Sequence, residues 1–293
     1  MTVEIISTTL VAASSYDLTD LTTAKDELSI ATGETGNDAF IGRAISQASA
    51  ACGNYCNRTF QLETVQDLFI PDRDAFVYQV PGGLNVLQLS RYPVIGTTVT
   101  LTTSGATSLG ASTLFVASTA GLAVGQPVSG AGIAVGAVIA SISVNVSVTL
   151  SLPVTATITS GSSIAFGPAV TQTSAGGTVT ILTPGVDYQV DTKKGWLTRL
   201  DPSTGYPVTW AALPTSVVYQ GGYATIPADV VDATLRIITQ RFAGRGRDPL
   251  LKTSIQPGLG EQTYWVGGAP GMNGVFTAEI SGLLDSYRVP VTG

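Results

Sequence analysis

Val144-Asn145-Val146-Ser147-Val148-Thr149-Leu150-Ser151-Leu152 alternates apolar residues with polar, mostly hydroxyl-bearing ones at a period of two, the pattern of a strand with one buried and one wet face. Thr98-Val99-Thr100-Leu101-Thr102 repeats the pattern upstream. Both runs lie in a region without a formal charge. No Asp, Glu, Lys or Arg stands between Arg91 and Asp187, so all 14 basic and 20 acidic residues lie outside it. Ser, Thr, Val, Ala and Gly dominate there, and Gly105, Gly110, Gly121, Gly130, Gly132 and Gly161 break the chain at the intervals of a small sandwich or barrel. The reading is an inserted all-β module over residues 97–167. Natural sheets protect their edges with lysines or inward charges, and this module has none. Its edges are therefore expected to be short, mutually closed or covered by another protein.

Outward from the module the period changes. Phe40, Ile41, Ala44, Ile45, Ala48, Ala51, Cys52 and Tyr55 recur at helical spacing, which predicts one helix over 38–57, capped by Asn37 or Asp38. Thr22 can cap a shorter helix over about 20–30, separated from the first by the Gly33 to Gly36 stretch. Pro227 suits a first helical position, and Val230, Val231, Thr234, Leu235 and Ile238 extend a helix over 227–243, stopped by Gly244. Short strands are predicted at 62–70, 76–80, 84–89, 178–182, 188–190, 196–200 and 217–219. The expected fold class is α+β: a helical body over 1–96 and 168–249 with a small antiparallel β region, interrupted by the inserted module. A Gly- and Pro-rich tail, 250–293, carries Tyr264 and Trp265 and ends in a short helix over 275–287. Such a tail is expected to order on a partner.

With 293 residues, 44% hydrophobic and 12% charged, and a mean hydropathy of +0.32, the chain is globular. Histidine is absent, which removes Ser-His-Asp and Cys-His nucleophile systems and histidine metal sites. Cys52 and Cys56 stand four apart, facing one way on a helix and poorly placed for a disulfide, so they read as small core residues. Glu4 stands where a secretory leader would carry lysines, so synthesis in the cytoplasm is expected. The longest greasy stretch, 121–152, is broken by glycines and Pro127, so no membrane span is expected.

Several constellations carry little chemistry. Gly130-Ala131-Gly132-Ile133-Ala134-Val135-Gly136 has the wrong last spacing for a dinucleotide fingerprint. Asp72 with Asp74, and Asp229 with Asp232, are close carboxylate pairs that a turn and a helix N-terminus explain. Arg241, Arg245 and Arg247, with Asp248, form a basic post-helix loop. Three arginines in a chain of net charge −6 are too few to grip DNA; they suit a helix C-terminus or the acids of a partner. No catalytic residue, cofactor or metal is expected.

Outside the module the chain resembles the head-tail connector or adaptor proteins of tailed bacteriophages and related gene transfer particles. The resemblance rests on Leu21-Thr22-Thr23-Ala24-Lys25-Asp26-Glu27-Leu28, Asp38-Ala39-Phe40-Ile41 and the exit Tyr55-Cys56-Asn57-Arg58-Thr59-Phe60. It continues in Tyr188-Gln189-Val190-Asp191, Gly195-Trp196-Leu197-Thr198-Arg199-Leu200 and Trp210. Its third part is Val217-Val218-Tyr219-Gln220-Gly221-Gly222-Tyr223, Ile226-Pro227-Ala228-Asp229 and Arg245-Gly246-Arg247-Asp248-Pro249. Val128 to Ile133 and Val148 to Ser151 are similar to a small β-module of phage structural proteins.

The resemblance implies a structural virion protein of the neck, with a helical connector body and no enzymatic activity. It implies a homo-oligomeric ring, usually a dodecamer, under the portal protein, with a stopper or tail-completion protein on its other face and double-stranded DNA passing through the lumen without sequence-specific binding. The expected portal contacts are Tyr264, Trp265, Phe276, Leu283 and Tyr287; the expected ring contacts or post-helix loop are Arg241, Arg245, Arg247 and Asp248. The alternative reading is a β-rich tail-tip protein that binds a receptor or carbohydrate through the uncharged module.

Overall fold

The computed structural model describes residues 5–70, 78–80, 84–95, 99–120, 122–245, 253–256, 260–263 and 276–289. The chain begins with β1 (Ile5–Val11), α1 (Leu21–Glu27) and α2 (Asp38–Cys56). Next come β2 (Glu63–Phe69), β3 (Tyr78–Val80), β4 (Leu84–Gln88) and β5 (Val94–Ile95). The uncharged region holds β6 (Val99–Thr102), β7 (Thr113–Phe115), β8 (Val128–Ser129), β9 (Ile139–Ser143), β10 (Ser147–Leu150), β11 (Ser163–Phe166), β12 (Ala169–Thr173) and β13 (Val179–Leu182). After it come β14 (Tyr188–Asp191), β15 (Trp196–Leu200), β16 (Pro207–Val208) and β17 (Thr215–Gly221). Finally there are α3 (Ala228–Ala243), β18 (Thr253–Gln256), β19 (Gly260–Thr263) and α4 (Ala278–Leu284). Two compact units result. One is Met1–Ala13 with Leu62–Ala224, and the other is Ser14–Gln61 with Thr225–Gly293.

The expected α+β fold with a helical body and a small β region is not what forms. Nineteen strands stand against four α-helices among the described residues, and the chain is mostly β. The physical reason lies in burial. β12 and β17 are covered on both faces, so they lack the period of two by which strands announce themselves. β1 was not expected as a strand at all. It pairs with β2 along its length, Ile5 opposite Phe69 and Thr9 opposite Val65.

The first unit contains a two-sheet sandwich. Its larger sheet runs β1-β2-β17-β12-β13, with β5 also on β17; the other runs β14-β15-β4-β3, with β16 on β15. Between them Val65, Phe69, Val170, Val217 and Tyr219 of one sheet pack on Leu87, Leu89, Tyr188 and Leu197 of the other. One polar group is set in this core: Asp67 is 0% exposed. Its carboxyl accepts hydrogen bonds from Ser90 N (2.8 Å), Ser90 Oγ (2.7 Å) and Tyr219 Oη (2.6 Å), and Tyr219 Oη accepts one from Arg91 N (2.9 Å). Burial and the neighbouring Asp67 raise the Tyr219 hydroxyl far above its ordinary range, so it stays a donor. Gly221 completes the joint, because a Cβ there would lie 2.5 Å from Arg91 Cβ.

The stretch Val144 to Leu152 is the turn and second strand of a hairpin rather than one strand. β9 and β10 pair through Ser143 and Ser147, and Asn145 turns between them at φ 54°. Asn tolerates this left-handed backbone, and Thr119 fixes it from both sides: Thr119 N donates to Asn145 Oδ1 and Asn145 N to Thr119 Oγ1. Two three-stranded sheets, β7-β10-β9 and β6-β11-β8, enclose a core of Leu114, Ile139, Val148, Ile158, Ile164 and Phe166. The bridges Thr103 to Val116 and Pro127 to Val138 link strands of the two sheets, so these edges are short and mutually closed. Thr64 of β2 donates to the Gly125 carbonyl (2.7 Å) and Gln220 of β17 to that of Val124 (3.3 Å). Gly125 has φ +83°, and a Cβ would stand 3.0 Å from Gln220 Nε2.

Three substitutions test these cores. Asp67→Ala leaves the Ser90 N–H and the Tyr219 hydroxyl without their buried acceptor and is expected to cost about 2–4 kcal/mol; Tyr219→Phe removes one donor and costs about 1–2 kcal/mol. Phe166→Ala is expected to cost about 3–5 kcal/mol. Urea unfolding of each variant measures the loss.

Candidate interaction surfaces

In the second unit, α2 buries Ile41, Ala44, Ile45, Ala48, Cys52 and Cys56, and α3 buries Val230, Ala233, Thr234, Ile237 and Ile238. The two helices pack together, with Cys52 Sγ 3.6 Å from Thr234 Oγ1. Their polar flanks form a groove lined by Phe40, Arg43, Gln47, Arg241 and Gly244. Arg241 donates to Gln47 Oε1, and Arg245 donates to Asn37 Oδ1 at 2.5 Å while its guanidinium lies 4.9 Å from the Phe40 ring centre. Asn37 was an expected cap of α2, but it makes no side-chain cap bond and holds Arg245 instead. Arg43 completes the group. Sequence reasoning missed it because Arg241 lies far along the chain; the available signal was Arg43 and Gln47, four apart on the polar flank of a predicted helix.

The start of the unit is tied by a buried lysine. Lys25, 3% exposed, sits 2.5 Å from Asp38 and donates to the carbonyls of Glu34 (2.9 Å) and Thr32 (3.3 Å). Asp20, not Thr22, caps α1 by accepting from Thr23 N (2.8 Å), a bond that holds its carboxyl below the usual range. Asp26, Glu27 and Glu34 are exposed.

Of the expected portal contacts, Phe276 is buried and stacks on Tyr55 at 4.7 Å. Tyr287 meets Phe60 edge-on at 6.0 Å and donates to Asp229 (3.3 Å). Leu283 is half-buried on α4. Tyr264 and Trp265 lie outside the described residues, as do Arg247, Asp248, Asp72 and Asp74. Asp232 is engaged by Arg236, which also reaches Glu279. Among the described residues no group of three or more Cys, Asp or Glu side chains is placed to hold a metal ion, and no helix is long and apolar enough to cross a membrane.

Cys52 and Cys56 are both free and 0% exposed. Burial pushes both thiols up, Cys56 to about 11. The folded chain therefore keeps protons that the unfolded chain releases near the ordinary thiol value of 9.0, so stability is full below that pH and declines through about 11. The urea midpoint is expected to fall over this window. Replacing both cysteines with alanine should flatten the part of the decline below the tyrosine range, about pH 9 to 10.

No protein-family profile and no curated protein matches the chain. Among solved structures, it is similar to a chain of the neck of an empty gene transfer agent (GTA) particle computed with C6 symmetry, with TM-score 0.38 and 11% identity over 98% of each chain. It is also similar to a chain of the virion of a native GTA particle, with TM-score 0.43 and 11% identity over 98% of each chain.

Proposed function

We propose that the chain is a head-tail connector subunit of a tailed-phage or gene transfer particle: a structural virion protein of the neck that joins the capsid vertex to the tail and performs no catalysis. Copies assemble head to tail into a ring, a dodecamer in the reading taken here, beneath the portal protein. A stopper or tail-completion protein binds the opposite face. Double-stranded DNA passes without sequence-specific binding through the lumen, and a net charge of −6 per chain keeps it from adhering.

The observation that carries this reading is the order of the connector-like segments, with α2 from the first of them packed on α3 from the last. Tyr55 and Phe60, from the exit of α2, pack on Phe276 and Tyr287 from the other end of the sequence. Residues 97–167 are then an insertion in a strand connection, free to contact tail or capsid. Since Phe276 and Tyr287 are occupied within the chain, the portal anchors in this proposal are Tyr264 and Trp265, residues of the type that dominates interface energetics.

The test is the native mass of the full chain with and without the portal protein encoded beside it. A portal-dependent ring of 30.0 kDa subunits is the expected result, and a monomer or trimer indifferent to portal overturns the reading. Removing residues 250–293 would strip Phe276 and Leu284 from the second unit, so the tail is tested by Tyr264→Ala with Trp265→Ala. That pair is expected to weaken portal binding by about tenfold or more, about 1.4 kcal/mol, at unchanged stability.

A further inference from the structure

Arg43 and Arg241 line one groove, Arg245 stacks on the Phe40 at its edge, and none of the three forms an ion pair among the described residues. Gln47 and Asn37 are neutral, so they fix two of the guanidinium forks without cancelling charge. In a chain of net charge −6, such a group is a standing attraction for carboxylates. The same unit carries the complement. Asp26 and Glu27 on α1, and Glu34 beyond it, are exposed and form no ion pair among the described residues, because the one lysine beside them, Lys25, is spent on Asp38.

The two groups lie on opposite flanks of α2. Asp38 turns toward Lys25 of α1, and at about 100° per residue Arg43 and Gln47 stand roughly 140° and 180° around the helix from it. Within one copy Arg43 faces away from these acids, and none of the three arginines pairs with them among the described residues. Between copies they match, and a contact joining different faces of identical subunits is the kind that closes rings. We infer that the acidic flank carrying Asp26, Glu27 and Glu34 of one copy docks in the Arg43, Arg241 and Arg245 groove of the next. The inference deepens the ring reading above and rests on it, naming the seam.

Charge exchange on the full-length chain tests it. One variant carries Arg43→Glu with Arg241→Glu, the other Asp26→Lys with Glu27→Lys; circular dichroism and thermal melts check that both fold. Each variant alone is expected to raise the concentration needed for ring formation by about tenfold or more, by native mass with portal present. Mixed in equal amounts, they present matched charges at every contact, and the ring is expected to return with the two variants alternating. Raising salt should weaken the wild-type ring. If wild type forms a ring and both variants form it equally well, the seam is elsewhere and the connector reading stands. A wild type that never self-associates overturns both. If a short random-sequence DNA duplex binds wild type but not the arginine variant, while assembly is unchanged, the groove takes phosphates and the inference is overturned.

Discussion

The carboxyl of Asp67 sits where three parts of the first unit must agree. β2 carries it, β17 supplies Tyr219, and the turn after β4 supplies Ser90 and Arg91. A buried acid costs several kcal/mol unless its acceptor sites are filled, and filling them requires all three segments to be in register together. The sandwich therefore has one polar reference point within an apolar interior that would tolerate sliding. The chain leaves for the uncharged region just beyond this point and returns through β12, which pairs directly on β17. A joint that fixes both departure and return allows a long excursion without disturbing the sheet that hosts it.

The excursion is tied back to its host sheet through two backbone carbonyls. Thr64 and Gln220 reach the Val124 and Gly125 carbonyls from the face of the larger sheet that points away from the sandwich core. This accounts for β17 being buried on both faces: Val217 and Tyr219 look into the sandwich, while Val218 and Gln220 lie on its other side. The same arrangement left only 217–219 of this strand legible in its pattern.

Helices were legible where one side met water. α2 and α3 came out near their predicted bounds because each has a wet flank, and the C-terminal helix was expected over 275–287 and forms as α4 followed by a short 3₁₀ turn. Strands were legible in number only where they alternated, so the balance of the fold was read wrongly toward helix. The run at Val144 shows the opposite failure. Its alternation continued through a turn, because Val144 and Val146 are exposed, 74% and 54%, and a turn that happens to be apolar looks like a strand. At the candidate surface, Arg241 and Arg245 were visible as a charge cluster, but their amide partners and Arg43 became neighbours only through the packing of α2 on α3. Lys25 gave no sign that it would be buried, since its partner Asp38 belongs to the next helix.

The absence of ionisable side chains from 93–186 leaves the module with a surface that neither acid nor mild base can recharge. Its wet face is made of hydroxyls and scattered valines, so its solubility depends on hydration and curvature rather than on like-charge repulsion. Contacts made there have no long-range field to guide them and form only on collision in the right orientation. Once formed, they are indifferent to changes in pH and ionic strength.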